Sequence, residues 1–383
     1  MDRTKWKYLK LGEFITEYSV KNKQGDNIPV YSVTNSRGFC KEYFNKEVAS
    51  EDKTSYKIVP FGYFAYNPSR INVGSIDWQH MEERVIVSPL YNVFYVSDKI
   101  KQEYLQFYLK SPSTIQLIDA IAIGTVRLNL KLSMLKEFYL PIPPISDQQT
   151  IVTELDKLNE VIALKRKQLA DLDSLAQSLF YEMFGDPVVN EKGWTTKDLK
   201  EVGKITTGNT PSKAVAEYYN NSYIEWIKTD NIEQNSPIAT AAKEFLSEEG
   251  CKRGRVVDEG SLLVACIAGS VESIGKSCIT NRRVAFNQQI NAITPNESTN
   301  IVFLYHLVRS MKKVIQDYAT TGMKHILTKS AMEGITIPLP PLLLQQSFAA
   351  KIAKIEAEKQ RLKSSLKDLE TLLASRMQYW FDN

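Results

Sequence analysis

Residues 124–186 align without gaps on residues 321–383 at a constant offset of 197, and a repeat of that length leaves few folds open to the chain. Arg127 falls on Lys324, Leu130 on Leu327 and Ser133 on Ser330. The run PIPPISDQQ from Pro141 to Gln149 falls on PLPPLLLQQ from Pro338 to Gln346. Further on, Leu169, Asp171, Leu172, Leu175, Ser178 and Phe184 meet Leu366, Asp368, Leu369, Leu372, Ser375 and Phe381. Self-similarity at a fixed spacing means that one structural unit is used twice.

Each repeat has the same physical layout. Prolines force an extended approach, and helix formers then run without interruption. In the first repeat Ile151, Leu155, Leu158, Ile162, Leu169, Leu172, Ala176, Leu179 and Met183 recur at steps of four and three, broken by Lys165. The second carries Phe348, Ile352, Ile355, Leu362, Leu366, Leu369, Leu373 and Trp380, broken by Lys359 and Arg376. These are coiled-coil seams. The economical burial is of one seam against the other; the alternative is that each helix covers its own domain. An antiparallel pair would act as a spacer between two blocks related by a pseudo-twofold repeat. From Asp147 to Phe184 such a helix would run about 57 Å, at ~1.5 Å per residue.

A chain of 383 residues suggests about two domains of ~150 residues plus something extra. The boundaries expected are a first domain at 1–145, a spacer helix at 146–186, a second domain at 187–342 and a second spacer helix at 343–383. Both blocks are mixed, so the fold class is α+β. In the first, Ile28–Val33, Tyr63–Tyr66, Val85–Val87 and Val93–Val96 read as strands, with helices at Lys101–Leu109 and Ser113–Ile121. In the second, Tyr223–Lys228, Ser261–Ile267, Lys276–Thr280 and Ile290–Thr294 read as strands, with helices at Ile301–Ser310 and Met311–Ala319. WKYLKLGEFIT from Trp6 aligns weakly with WTTKDLKEVGKIT from Trp194. The blocks have thus diverged much further than the frame between them.

Net charge is +4, with the positive excess in the blocks and an acidic first spacer, which suits phosphate contact by the blocks or ordinary surface charge alike. No apolar run approaches the ~20 residues of a membrane span, and Met1–Lys10 is charged, unlike a signal peptide. Cys40, Cys251, Cys266 and Cys278 show no C-x-x-C spacing, so neither zinc nor disulfides are expected. A cytoplasmic protein is the expectation. The G-K-S ending GSVESIGKS is not a phosphate loop, because five residues rather than four separate Gly269 from Gly275; Gly275 reads as a turn. The tetrapeptide Asn67-Pro68-Ser69-Arg70 lacks the second proline and aromatic of an amino-methyltransferase loop. His80, His306 and His325 form no metal pattern, and His306 reads as a core residue. No catalytic residues and no metal site are assigned.

Taken together, PIPPISDQQ, PLPPLLLQQ, the spacer ending LAQSLFYEMFGDP, and the runs TTGNTPS, YIEWIKTDNI, GSLLVACIAGS and AFNQQINAI resemble the specificity subunit of type I restriction-modification enzymes. In the first block the resemblance rests on GYFAYNPSRINVGSI and IAIGTVRLNL. It implies two target-recognition domains, each reading half of a split, asymmetric site in double-stranded DNA. It further implies a non-catalytic chain working with two methyltransferase subunits and restriction subunits, which would bring S-adenosylmethionine, ATP and magnesium. The expected spacer exceeds one B-DNA turn of ~34 Å. A coiled-coil scaffold and an enzyme with an unrecognised site are the alternatives.

Loop residues beside Gly or Asn are the candidate DNA contacts. In the first block these are Lys57, Arg70, Arg84 and Arg127. In the second they are Lys228, Thr229, Asn231, Arg253, Arg255, Lys276, Asn287, Gln288, Lys324 and His325. Cations can hold phosphates or read guanine, while Asn287 and Gln288 have the amide geometry for adenine. Arg127 and Lys324 hold equivalent repeat positions, which favours a shared backbone contact.

Overall fold

A computed structural model describes residues 3–41, 52–122, 129–233, 236–320, 322 and 324–382. The chain divides into two compact units, residues 1–167 with 363–383, and residues 168–362.

Unit 1 begins with β1 (Lys7–Lys10) and β2 (Ile15–Glu17), then the hairpin β3 (Ser32–Thr34) and β4 (Gly38–Cys40). There follow β5 (Lys57–Pro60), β6 (Phe64–Tyr66), β7 (Ile76–Trp78), β8 (Arg84–Val87) and β9 (Asn92–Val96). Helices α1 (Gln102–Leu109), α2 (Pro112–Ala122) and α3 (Leu132–Leu135) come next, and then β10 (Tyr139–Ile142). The proline run is itself a strand, with Pro141 opposite Tyr8 of β1. The main sheet has the order β2-β9-β6-β7, and β5 pairs with β8 beside it.

The helix α4 (Ile145–Phe184) closes unit 1 with its first half. Unit 2 takes the rest of it, then β11 (Thr196–Asp198), α5 (Leu199–Val202), β12 (Gly203–Thr207), β13 (Ile224–Ile227) and β14 (Phe245–Leu246). Next come α6 (Glu248–Arg253), β15 (Val256–Val257), β16 (Leu262–Ala265), β17 (Ile267–Ala268), β18 (Ser277–Ile279), β19 (Val284–Phe286) and β20 (Ile290–Pro295). The unit continues through α7 (Ile301–Ser310), α8 (Lys312–Asp317), β21 (His325–Ile326), α9 (Lys329–Glu333) and β22 (Thr336–Pro338) to the first half of α10 (Leu342–Phe381). Its main sheet has the order β12-β20-β16-β18, which is the order of unit 1 strand for strand. The weak similarity around Trp6 and Trp194 therefore marks a real duplication: β1 and β11 each pair with the proline strand of their own unit.

The residues that the repeat keeps have structural work. Gln148 is fully buried, accepts the N–H of Lys101 at 2.9 Å and donates to the carbonyls of Lys99 (2.9 Å) and Pro143 (3.0 Å). Gln345 does the same in unit 2, accepting from Asn300 (2.8 Å) and donating to Ser298 (3.2 Å) and Pro340 (2.8 Å). Each thus ties the start of a long helix to the start of α1 or α7, satisfying backbone groups that a helix terminus leaves open.

The seams are buried in part: Ile151, Leu155, Ile162 and Ala176 of the first stripe and Phe348, Ile352, Leu362 and Trp380 of the second are buried, while the other apolar seam positions are half-buried and Phe180, Phe184, Met377 and Phe381 beside the stripes are buried as well. In unit 1, Ile151 and Leu155 of α4 share a core with Met377, Trp380 and Phe381 of α10. In unit 2, Ala176, Phe180 and Phe184 of α4 share one with Phe348 and Ile352. The pairing is antiparallel in both units. Glu154 meets Arg376 and Arg166 meets Glu370 (2.7 Å), while Asp173 meets Lys359 (2.7 Å) and Phe180 meets Phe348. Lys359 and Arg376, the two breaks in the second stripe, thus each carry a charge that crosses to α4, as Glu370 does. Among the described residues no helix is long and apolar enough to cross a membrane, and no group of His, Cys, Asp or Glu could hold a metal ion.

Candidate nucleic-acid interface

In unit 1 the turn after β6 is shaped by Asn67, whose Oδ1 accepts the N–H of Ser69 at 3.0 Å. The carbonyl of Arg70 accepts N–H groups from Val73 and Ser75, both at 3.2 Å, and the Arg70 side chain is exposed and lines an open cleft. Arg84 is exposed and paired with Asp26 at 3.5 Å. Lys57 turns inward instead: its ammonium donates to the carbonyl of Tyr91 at 2.6 Å, and burial pushes its pKa down. Arg127 lies outside the described residues.

In unit 2 the run TTGNTPS lies along the turn between β19 and β20. The N–H of Gly208 donates to Ile290 and that of Asn209 to Phe286. A Cβ at Gly208 would stand 2.1 Å from the carbonyl oxygen of Asn287, so only glycine lets the two segments approach. Asn209 then bridges the two arginines, accepting from Arg255 N (2.7 Å) and donating to the carbonyl of Arg253 (2.8 Å). Thr210 donates to the side-chain oxygen of Gln288. Exposed Arg253, Arg255 and Gln288 are thus gathered around Asn209 and Thr210. Those two were not candidates in the sequence, although the glycine before them was the available signal.

A second group surrounds an open cleft lined by Thr229, Lys276 and Ala268. His325 in β21 stands opposite Ala268, and Lys324 beside it is exposed. Lys276 follows Gly275, whose φ of 78° is the left-handed turn conformation that the sequence suggested there. Three candidates are spent internally. Lys228 pairs with Glu244 and lies over the Trp226 ring at 4.9 Å. Asn231 is 7% exposed, accepts from Lys228 N (3.0 Å) and donates to the carbonyl of Ala241 (3.0 Å). Asn287 is 5% exposed, with its Oδ1 on the N–H of Gln289 (3.1 Å) and its Nδ2 on that residue's side-chain oxygen (3.0 Å). Its amide holds a turn and does not face outward; Gln288 next to it does.

His306 packs on Phe348 (5.1 Å between ring centroids) and Phe180 (6.5 Å) inside unit 2. Burial first, then the charges of Arg309 and Lys359, push its pKa down to about 4. A histidine in the unfolded chain titrates near ~6.5. Between those values the unfolded state binds a proton that the folded state refuses, so stability falls as pH drops through that window. The expected loss for unit 2 between pH 7 and 4 is about 3 kcal/mol, at ~1.36 kcal/mol per pKa unit. His306→Leu should flatten the pH dependence of the unit 2 unfolding transition; an unaltered slope would show that other groups set it.

The family model described as the type I restriction modification DNA specificity domain matches this chain twice, over residues 4–174 and 191–370. The MjaIX specificity subunit of Methanocaldococcus jannaschii is 25% identical over 270 residues, covering 66% of this chain and 61% of that protein. The HindI specificity subunit of Haemophilus influenzae is 30% identical over 169 residues, covering 43% and 36%. The matched region is thus less than two thirds of the length of either relative. Among solved structures, a chain from a type I R-M system superposes with a TM-score of 0.63 at 17% identity, over 97% of this chain and 96% of that one. The S subunit from M. genitalium gives 0.52 at 13% identity, over 99% and 96%. These superpositions show a shared fold.

Proposed function

The chain belongs to the type I restriction-modification DNA specificity family, and from that premise we propose that it is the sequence-reading subunit of such a complex. Each unit reads one half of a split, asymmetric site in double-stranded DNA. Two methyltransferase subunits and restriction subunits supply the chemistry, with S-adenosylmethionine, ATP and magnesium bound by them; the chain itself is non-catalytic and acts in the cytoplasm. The observation that carries this reading is that one frame, with identical buried glutamines, presents two sets of unlike exposed side chains. In unit 2 these include Arg253, Arg255, Gln288 and Lys324, and in unit 1 Arg70.

Cations of this kind hold phosphates or reach guanine edges, while Gln288 has the amide geometry that suits adenine. The test is methylation mapping of genomic DNA from cells that express the chain with its methyltransferase partner. A two-part motif that vanishes when the chain is omitted is the expected result. Methyl transfer or ATP hydrolysis by the chain alone, in a preparation free of partner subunits, would instead make it an enzyme. A methylation pattern indifferent to the chain would make it a scaffold.

A further inference from the structure

Each unit carries an open cleft, and the two clefts occupy the same place in the duplicated fold. The cleft of unit 1, about 470 Å³, lies between β3 and the two residues after it, the turn after β6, the 3-10 turn ending at Val73, and Tyr91 just before β9. The cleft of unit 2, about 320 Å³, lies between the segment after β13, the turn after β16, the 3-10 turn ending at Ser273, and Gln289 just before β20. A left-handed glycine stands at the same corner of both, Gly74 (φ 79°) and Gly275 (φ 78°). The residue following it faces the cleft in each case, Ser75 in unit 1 and Lys276 in unit 2.

Around these matched corners the frame is kept and the side chains are not. Counted from the shared glycine, Arg70 is replaced by Val271, Val73 by Ile274 and Ser75 by Lys276, and in the register of the parallel pairings Thr34 gives way to Asp230. A wall with a purely structural task would be expected to keep its residues, as Gln148 and Gln345 do. We propose that these clefts are where base edges are read, with Arg70 and Asn35 reading purines for unit 1 and Lys276 and Asp230 reading a guanine–cytosine pair for unit 2. This deepens the assignment of the chain as a specificity subunit and rests on it.

Base edges are favoured over phosphates by the placement of charge. The phosphate backbone is alike in both half-sites, so a phosphate grip would set its cations at matched positions. Here the cation moves, from Arg70 in the turn after β6 to Lys276 after the glycine, and the exposed carboxylate of Asp230 enters the second cleft. That carboxylate would repel a phosphate but accepts the amino group of cytosine. The fork of Arg70 matches guanine O6 and N7, and the Asn35 amide matches adenine N6 and N7.

The experiment expresses Arg70→Ala, Asn35→Ala, Lys276→Ala and Asp230→Asn chains with the methyltransferase partner and maps genomic methylation. Arg70→Ala and Asn35→Ala should each relax one position in one half of the motif, with discrimination falling about ten- to a hundredfold. Lys276→Ala and Asp230→Asn should relax the other half only. Asp230→Asn keeps the shape of an exposed side chain, so its result stands even where a larger truncation impairs folding. Full methylation with an unchanged motif overturns the proposal, and so does a uniform loss of methylation with the motif intact, which is the behaviour of a phosphate contact. An unsubstituted chain that directs no two-part motif would sink the assignment as a specificity subunit, and the proposal with it.

Discussion

Phe381→Ala should remove about 3–5 kcal/mol from unit 1, the usual cost of deleting a buried phenylalanine. Phe381 is 4% exposed and meets the rings of Tyr104 (5.3 Å) and Tyr108 (5.9 Å) edge-on, beside the Trp6–Trp380 stack at 5.9 Å. Its repeat partner Phe184, 197 residues earlier, meets Phe303 of unit 2 in the same way at 4.9 Å. The last turn of each long helix is therefore a core element of the unit it ends in. A loss of this size is a large part of the ~5–15 kcal/mol that holds a typical domain folded. Hydrogen exchange checks it: amides of Gln102–Leu109 should lose protection while those of Ile301–Ser310 keep theirs. Equal loss in both helices would show that the aromatic contact does not stabilise unit 1 specifically.

What the sequence disclosed follows from what each feature depends on. The seams were legible because burial of a helix face leaves an apolar period that survives divergence, and most of the β-branched runs became strands at the places expected. Two strands depart from their sequence pattern. Ile28–Val33 reads as one strand, but Val30 makes a lone parallel bridge to Ile86 before Ser32–Thr34 turns to pair with β4. Pro29 accepts the N–H of Ile86 and Tyr31 donates to the Ile86 carbonyl, so the change of partner falls between Tyr31 and Ser32. Ser261–Ile267 is broken at Cys266, where the N–H groups of Cys266 and Ile267 converge on the carbonyl of Gln289, a local kink that no residue type announces.

The candidate contacts that bond internally share one cause. Asn231 and Asn287 have the composition of readers, but short polar side chains also bond the backbone two or three residues away, and both do so. Lys57 is drawn inward by a carbonyl 34 residues further along, a partner that the sequence could not show. The ion pairs of Lys359 and Arg376 with α4 were hidden for the same reason: each partner lies more than 180 residues away in the chain.

Replacing residues 203–295 by the matching segment of another family member should exchange one half of the DNA motif and preserve the other. Alternation along the strands shows what such an exchange must respect. Leu262 and Val264 of β16 face the cluster that contains Phe180, Phe184, Phe303 and Phe348, whereas Leu263 and Ala265 face a separate cluster with Ile227, Val284 and Phe286. The first set joins the segment to α4, α7 and α10, so those positions, with Ile279 and Ile293, must stay apolar and similar in size. The second set lies within the segment and can change together with the loops it carries. Each mismatched base pair costs about 1–3 kcal/mol, so over roughly three base pairs methylation of the original motif should fall on the order of a thousandfold or more. A new motif should appear with one half unchanged. If both halves changed, or if the original motif persisted in a complex that still methylates, reading by two independent units would be wrong.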